Sequence, residues 1–190
     1  MLADELVCRI ATPEDAAELA AFGAESFVDA YGYSLRPGDL ALHVTRTYSE
    51  ELQRRELTDS SAWTVLVERC STGDSSDRAA AAKELVGAAL LRIKRPPADP
   101  APELEWVEIA RFYVARLYWR TGVSTELMMA TLRSIRERGQ AMVWLQTWER
   151  AEQALRFYRK WGFLAIGETS FLAGTQIQRD LVLARRVGAG

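Results

Sequence analysis

The 190-residue sequence predicts an α/β fold in which helices cover the faces of a mixed β-sheet. One observation is a short strand followed by helical segments in the first third of the chain. Another is the order of the later segments, which run as strands and then strand–helix–strand–helix–strand–strand. Because neighbouring segments usually pack together, this order favours a sheet with both parallel and antiparallel strands. The length is typical of a single domain, and we expect one domain over residues 1–190.

The N-terminal third begins with the strand-like stretch LVCRI and continues into a helix. Thr12 is a suitable N-cap, Pro13 fits the first helical position, and Asp15 places a carboxylate in the first turn. Two shorter helices are predicted in RPGDLALHVTRTY and SEELQRREL, and Ser49 is the N-cap of the second. This third therefore supplies one strand and three helices.

The middle of the chain contains two strand-like runs, AWTVLVER and ELVGAALLRI. They are separated by CSTGDSSDRAAAAK, whose serine, glycine and aspartate content indicates a solvated connection. We therefore predict an antiparallel hairpin with a long loop. A second loop, KRPPADPAPE, contains four of the six prolines and separates this hairpin from the next strand, LEWVEIARFYVA.

The C-terminal part alternates helices and strands. The segment VSTELMMATLRSIRERG follows Gly122, has apolar residues at helical spacing and ends on Gly139. A strand is predicted in AMVWLQTW and a helix in ERAEQALRFYRKWG. The closing strands are FLAIGE and QIQRDLVLARRV.

Composition excludes several classes of protein. The formal net charge of -2 arises from 24 basic and 26 acidic side chains, which is not the basic surface that nucleic acid requires. No apolar run has the length of a signal peptide or a membrane span, so we expect a cytoplasmic protein without membrane partners. Cys8 and Cys70 are too few for a disulfide framework or a zinc site, and we expect two buried free thiols and no metal.

The stretch LYWRTGVSTELM, residues 117–128, lies where a strand passes into a helix. The first amides of a helix are unpaired and carry partial positive charge, so they can hold a pyrophosphate by backbone contacts alone. The stretch matches neither GxGxxG nor GxxxxGK[ST], which argues against a Rossmann dinucleotide site and a nucleotide triphosphatase. A plain helix start is the alternative.

The stretch from Leu104 to Phe163 resembles the GNAT superfamily of acyl-CoA-dependent N-acetyltransferases. VEIARFYVARLYWRTGVSTELM is similar to that family's strand, splayed strand end and Q/R-x-x-G-x-G/A pyrophosphate turn. ALRFYRKWGF is similar to its A-x-x-F-Y-x-x-x-G-F helix, and IATPEDAAELA to its first strand and helix. FVDAYG is similar to the bacterial polyamine acetyltransferase (PaiA-like) group, so the resemblance covers nearly the whole chain.

The resemblance implies a mixed, mostly antiparallel sheet of about six to seven strands with helices on both faces. It also implies acetyl-CoA as co-substrate and direct attack by a primary amine of a small molecule or peptide, with an amide near Val114 polarising the thioester carbonyl. A homodimer is left open. The implied cofactor-binding residues are Phe112, Tyr113, Val114, Arg120, Thr121, Gly122, Val123, Ser124 and Thr125.

Three positions depart from the family pattern. Trp119 stands where the family has Gln or Arg, Ser124 replaces the final Gly or Ala, and Ala151 stands where many members carry an Asn that contacts the cofactor. Binding of a pyrophosphate by backbone amides tolerates such changes better than binding by side chains does. A GNAT-like acyl-CoA-binding or regulatory module without turnover is therefore the alternative function, and a bulkier acyl group is a weaker option.

Two residues are candidate catalytic groups. Period-two alternation places Glu108 on an apolar face of its strand, where desolvation would raise the pKa of its carboxyl and suit it as a general base. A salt-bridged or rim carboxylate is the alternative. Tyr158 is at the family position whose phenol protonates the departing CoA thiolate, although the aromatic stripe around it also fits a core helix. The face predicted for Glu108 comprises Leu104, Trp106, Glu108, Ala110, Phe112 and Val114.

The sequence indicates the acceptor site less clearly than the cofactor site. Asp29 and Tyr31, with Glu25 and Tyr33, could form an acidic, aromatic mouth for a cationic amine, and a solvated helix end is the alternative. His43 is the only histidine, and an ordinary surface or capped imidazole is the favoured interpretation.

Overall fold

The computed structural model describes residues 5–71, 83–97 and 106–188. Within them, seven strands form one sheet in the order β1-β2-β3-β4-β5-β7-β6. Every neighbouring pair is antiparallel except β4 and β5, which are parallel. The predicted mixed and mostly antiparallel sheet is thus confirmed. The strands are β1 Glu5–Ile10, β2 Ala62–Cys70, β3 Lys83–Ile93, β4 Trp106–Val114, β5 Met142–Trp148, β6 Leu164–Ala173 and β7 Gln176–Arg186.

Five α-helices are found in the described residues, and short polar side chains begin two of the helical segments. The Asp15 carboxylate accepts a 2.7 Å hydrogen bond from the Thr12 amide, and the Ser49 hydroxyl accepts one of 3.2 Å from the Leu52 amide. These bonds satisfy amides that have no partner inside a helix. The helices are α1 Ala16–Tyr31, α2 Pro37–Thr47, α3 Glu50–Thr58, α4 Val123–Glu137 and α5 Glu152–Lys160.

The two faces of the sheet carry different packing. On one face, α4 and α5 cover the main core, in which Leu127, Met128 and Ile135 are fully buried. On the other face, α1 to α3 pack smaller clusters around Leu19 and Phe27. Apolar burial at about 25 cal/mol per Å² holds both layers to the sheet. Helices therefore cover both faces of the sheet.

Strand β4 contains a β-bulge that changes which side chains face which layer. Leu91 pairs with Ile109, whereas its neighbour Leu90 pairs with Arg111, so Ala110 is an extra residue. A one-residue insertion of this kind shifts the alternation of every later side chain in the strand. Residues before Ala110 and residues after it therefore follow different alternation patterns.

The bulge makes the predicted common face of β4 wrong. Phe112 packs into the core beneath α4 and α5. Glu108 is on the opposite face, opposite Arg92, whose guanidinium is paired with Glu56 of α3. Simple alternation had placed Glu108 and Phe112 together, and the extra residue at Ala110 separates them.

Strands β4 and β5 diverge after a short parallel contact. They pair only from Trp106 to Glu108 on β4 and from Met142 to Trp144 on β5, and both strands are described along their whole length. Beyond Glu108, backbone groups of β4 that point towards β5 have no strand partner, which leaves polar groups available to a ligand. The splayed strand end expected from the sequence is present at this position.

Other sequence expectations have mixed outcomes. The β2–β3 hairpin is confirmed, whereas its loop lies mostly outside the described residues, as does much of the proline-rich loop. The expectation of two buried thiols is wrong, because Cys8 is exposed on the edge strand β1 and Cys70 is half-buried. Among the residues described, no helix combines the length and apolar character that crossing a bilayer requires.

Candidate active site

A cleft of about 770 Å³ opens where β4 and β5 separate. Its walls come from the end of α1, the end of β4, the turn before α4 and the first residues of α5. The wall from β4 consists of Phe112, Tyr113 and Val114, and the wall from the turn includes Arg120 and Ser124. The cleft thus joins segments that are distant in sequence, as ligand sites commonly do.

The turn before α4 presents open backbone amides to this cleft. Gly122 is the N-cap of α4 and has φ of 102°, a left-handed conformation that favours glycine. Among the described residues, no acceptor is found for the amides of Gly122, Val123 and Ser124. Three consecutive unpaired amides at a helix N-terminus form a site for an anion such as a phosphate.

The structure narrows the predicted set of pyrophosphate-binding amides. The Thr121 amide donates to the carbonyl of Tyr118 at 3.4 Å, and the Thr125 amide donates to the carbonyl of Gly122 at 2.9 Å. Both donors are therefore committed to turns. The amides between them, from Gly122 to Ser124, are the ones that remain.

Side chains around the turn supply positive charge and rigidity. The indole of Trp119 donates a 2.8 Å hydrogen bond to the carbonyl of Val114, which fastens the turn to the end of β4. Arg116 and Arg120 both line the cleft, and Arg116 is paired with Asp29 at 3.5 Å. Trp119 thus takes a structural role at the position where the family pattern has Gln or Arg.

Tyr158 of α5 lies at the inner end of the cleft. Its ring makes edge contacts with Phe112 and Phe163, at centroid distances of 6.2 and 5.7 Å, and its side chain is buried. Burial raises the pKa of the Tyr158 phenol well above its usual range. The phenol is therefore protonated at neutral pH and can act as a proton donor.

A second, smaller cavity of about 90 Å³ adjoins the cleft. Tyr31, Phe112, Tyr113 and Tyr158 line both spaces, so these four side chains lie where the two meet. The remaining walls of the cavity come from α1, β4, β5, β6 and β7. They comprise Phe27, Ile109, Ala110, Arg111, Gln146, Thr147, Trp148, Phe171, Gln178 and Asp180.

Asp180 of β7 is a buried carboxylate in this cavity and was not predicted from the sequence. It is 4% exposed, and its Oδ1 has no hydrogen-bond partner among the described residues. Burial raises the pKa of its carboxyl to about 6. The available signal was an acid at an inward-facing position of β7, two residues before the buried Val182.

The Asp180→Asn variant is expected to be more stable than the wild type. Its free energy of unfolding should be about 1–3 kcal/mol higher at neutral pH. The pKa of the carboxyl rises from an ordinary 3.8 to about 6, so its ionisation destabilises the folded state above that pH. The gain should shrink as the pH falls below about 6 and disappear near pH 4. Urea unfolding across this range measures it. A variant less stable than wild type at neutral pH would mean that Asp180 has a stabilising partner.

The sequence profile of the Acetyltransferase (GNAT) family matches residues 40–163, which is more than half of the chain. The chain belongs to the GNAT family. Acetyl transfer is therefore the chemistry of this GNAT acetyltransferase, and the match contains the Gly122 turn and Tyr158.

Two curated relatives match most of this GNAT acetyltransferase. An uncharacterised N-acetyltransferase from Mycobacterium bovis is 29% identical over 173 residues, covering 91% of this chain and 98% of the relative. A second, from Lactobacillus delbrueckii subsp. lactis, is 23% identical over 175 residues, covering 90% and 92%. Both align along nearly their full length, so the similarity extends beyond the family profile.

Solved structures share the fold. The PaiA N-acetyltransferase from Thermoplasma acidophilum, determined with coenzyme A, superposes with a TM-score of 0.72 at 17% identity, covering 96% of this chain and 99% of that one. The spermidine/spermine N-acetyltransferase SpeG from Vibrio cholerae gives 0.63 at 16% identity, covering 96% and 95%. At such identities the likeness concerns the arrangement of helices and strands.

In this GNAT acetyltransferase, Glu108 lies apart from the other predicted site residues. Glu108 is 5% exposed, but both of its carboxylate oxygens accept hydrogen bonds of 3.1 Å from the Lys94 ammonium. It lines neither the cleft nor the second cavity. The predicted face shared with Phe112 is therefore wrong, because the bulge leaves Glu108 on the other face of the sheet, where it pairs with Lys94.

The two predicted acceptor residues differ in which space they line. Tyr31 lines both the cleft and the second cavity, whereas Asp29 lines only the cleft and pairs with Arg116. His43 stacks on Phe27 at 4.2 Å, and burial lowers the pKa of its imidazole. In the described residues, no group of three or more His, Cys, Asp or Glu side chains is arranged to hold a metal ion.

Proposed function

We propose that this GNAT acetyltransferase moves an acetyl group from acetyl-CoA to a primary amine by direct attack. The observation that carries the proposal is the meeting of the cleft and the smaller cavity at Tyr158. A donor held in the first space and an acceptor held in the second would react beside that phenol. No covalent intermediate on the protein is required, because both reactants are held at one point.

Acetyl-CoA supplies an activated thioester, and the cleft offers open amides and an arginine to its phosphates. The open amides of Gly122, Val123 and Ser124 would bind its pyrophosphate, with Arg120 adding positive charge. The pantetheine arm would follow the β4 wall from Val114 to Phe112. Tyr113 lines the same wall, and its hydroxyl is hydrogen-bonded to that of Tyr48 at 2.8 Å, which holds the ring in place.

The chain's own groups support acetyl transfer in two ways. A backbone amide of β4 near Val114, on the side without a strand partner, can polarise the thioester carbonyl, since a fixed dipole stabilises the charge that develops there. The Tyr158 phenol can donate its proton to the departing thiolate. We keep Tyr158 as the general acid and give Glu108 no catalytic role, since it is paired with Lys94 outside the cleft.

The acceptor that fits best is a cationic primary amine, and a polyamine is one candidate. Tyr31 lines both the open cleft and the inner cavity, and Asp29 lines the cleft, so an entering ammonium would meet aromatic and acidic surfaces. Two fold neighbours, PaiA and SpeG, are named as N-acetyltransferases, the second for spermidine and spermine. This likeness guides the choice of amines to test.

A binding or regulatory module without turnover is the second candidate, because Ala151 stands in the cleft where many family members have Asn. A screen separates the two. Wild-type protein with acetyl-CoA is offered polyamines, monoamines and peptides, and free thiol is measured. Acetyl-CoA at about 100 times its Kd should stabilise the fold by about 2.7 kcal/mol. Stabilisation with no thiol released by any amine would favour the binding module.

A further inference from the structure

We propose that Asp180 binds the ammonium of the acceptor and accepts its first proton, so that the small cavity selects an unbranched primary alkylamine. This inference rests on the proposed acetyl transfer and assigns the acceptor end of the site. A buried carboxylate with an unpartnered oxygen requires an explanation, because leaving it so costs stability. A cationic ligand supplies the missing partner.

A second unpartnered group points to the same ligand space. The Nε2 of Gln178, which lines the cavity two residues before Asp180 on β7, also has no hydrogen-bond partner among the described residues. Gln178 is 9% exposed. The Asp180 carboxylate can accept hydrogen bonds from an ammonium. The Gln178 Nε2 can donate to the thioester carbonyl that the amine attacks.

The charges around Asp180 leave it available to an added cation. Arg111 is the one cation lining the cavity in the described part of the chain, and its guanidinium is bound to Glu56 at 2.6 and 3.0 Å. Arg179, the neighbour of Asp180, is paired with Glu149 and Glu168 at the surface. The other titratable groups lining the cavity are the phenols Tyr31, Tyr113 and Tyr158.

The size of the cavity favours a narrow acceptor. A volume of about 90 Å³ corresponds to about three water-sized groups, enough for an ammonium and its adjoining methylenes. Phe27, Trp148 and Phe171 form apolar and aromatic walls around that volume. An amine branched beside the nitrogen would meet these walls.

Asp180 and Tyr158 would each carry one proton during the transfer. The ammonium gives its first proton to the Asp180 carboxylate, and the neutral nitrogen then forms the C–N bond while the C–S bond breaks. Tyr158 gives its proton to the sulfur and recovers one from the acylated nitrogen, which loses its second proton. Asp180 releases the first proton to water, so the products are an amide, CoA thiol and one proton.

The test compares Asp180→Asn with wild type on two probes, n-propylamine and 2,2,2-trifluoroethylamine. Propylamine is an ammonium at neutral pH, whereas trifluoroethylamine is largely uncharged. We expect kcat/KM for propylamine to fall about tenfold or more in the variant, because the charge and the proton acceptor are both lost. The change for trifluoroethylamine should be several-fold smaller. Glu137→Gln, which removes an exposed carboxylate from the end of α4, is the matched control and should leave both values unchanged.

The pH dependence of kcat/KM in the wild type and in Asp180→Asn provides a second readout. The wild-type kcat/KM for propylamine should fall as the pH drops through about 6, where the Asp180 carboxyl becomes protonated, and Asp180→Asn should lack this limb. Equal losses on both probes, an unchanged acid limb in the variant, or failure to acetylate propylamine while another amine is acetylated would overturn the inference. Absence of turnover with every amine would instead count against the proposed function.

Discussion

Replacing Tyr158 by Phe is expected to lower turnover by about 10²–10⁴-fold, the usual contribution of a positioned general acid. The ring contacts with Phe112 and Phe163 are retained, so the unfolding free energy and the Kd for acetyl-CoA should change little. The phenol is buried and has a raised pKa, so it carries its proton throughout the neutral range. The loss should therefore appear in kcat, measured by single-turnover thiol release.

A matched control removes another phenol that lines neither space. The hydroxyl of Tyr118 donates a 2.7 Å hydrogen bond to Glu84, and Tyr118→Phe should keep wild-type turnover. If Tyr158→Phe also retained wild-type turnover on a productive amine, the thiolate would take its proton from water or from the attacking amine. Tyr158 would then be a core residue of α5.

The Gly122→Asp change should weaken acetyl-CoA binding by about 10- to 100-fold, as a calorimetric titration can measure. The new carboxylate would lie against the phosphates proposed to bind at the Gly122–Ser124 amides. A Cβ added at Gly122 would have no atom from beyond its immediate chain neighbours within 4 Å, so a clash with other parts of the fold does not contribute. The backbone does contribute, because φ of 102° is unfavourable for any residue with a Cβ.

Two variants separate charge from backbone strain. Gly122→Ala carries the strain without the charge and should bind acetyl-CoA more tightly than Gly122→Asp. Gly139→Asp places the same residue at the other end of α4, where φ is also positive at 73° and the surroundings are open. It should leave the affinity unchanged. Equal affinity for the wild type and Gly122→Asp would place the pyrophosphate elsewhere.

The parts of the fold that sequence predicted well depend on local conformation. Gly122 fits a left-handed N-cap, and Ser49 caps α3, because each conformation is decided by a few neighbouring residues. The strand–turn–helix around Gly122 and the aromatic helix carrying Tyr158 are likewise contiguous in sequence. Their placement in one cleft follows from the family fold, which the motifs identify.

The parts that sequence missed depend on pairing between distant segments. Alternation on β4 predicted that Glu108 shares a face with Phe112, but the extra residue at Ala110 is specified only by the register with β3. The role of Lys94 as partner of Glu108 is equally non-local. In QIQRDLVLARRV, Asp180 is one of several charged residues. Its burial in a cavity depends on walls that come from elements distant in sequence.

The extra residue at Ala110 also gives β4 one position at which its length can vary over evolutionary time. Because Ile109 and Arg111 already pair with the consecutive residues Leu91 and Leu90, loss of the single codon for Ala110 would close the ladder and leave the faces of the downstream segment unchanged. The Arg111 guanidinium would still meet Glu56, and Phe112 would still pack into the core. A codon lost at a paired position of the strand would instead exchange the two faces, so a change of length is confined to the bulge.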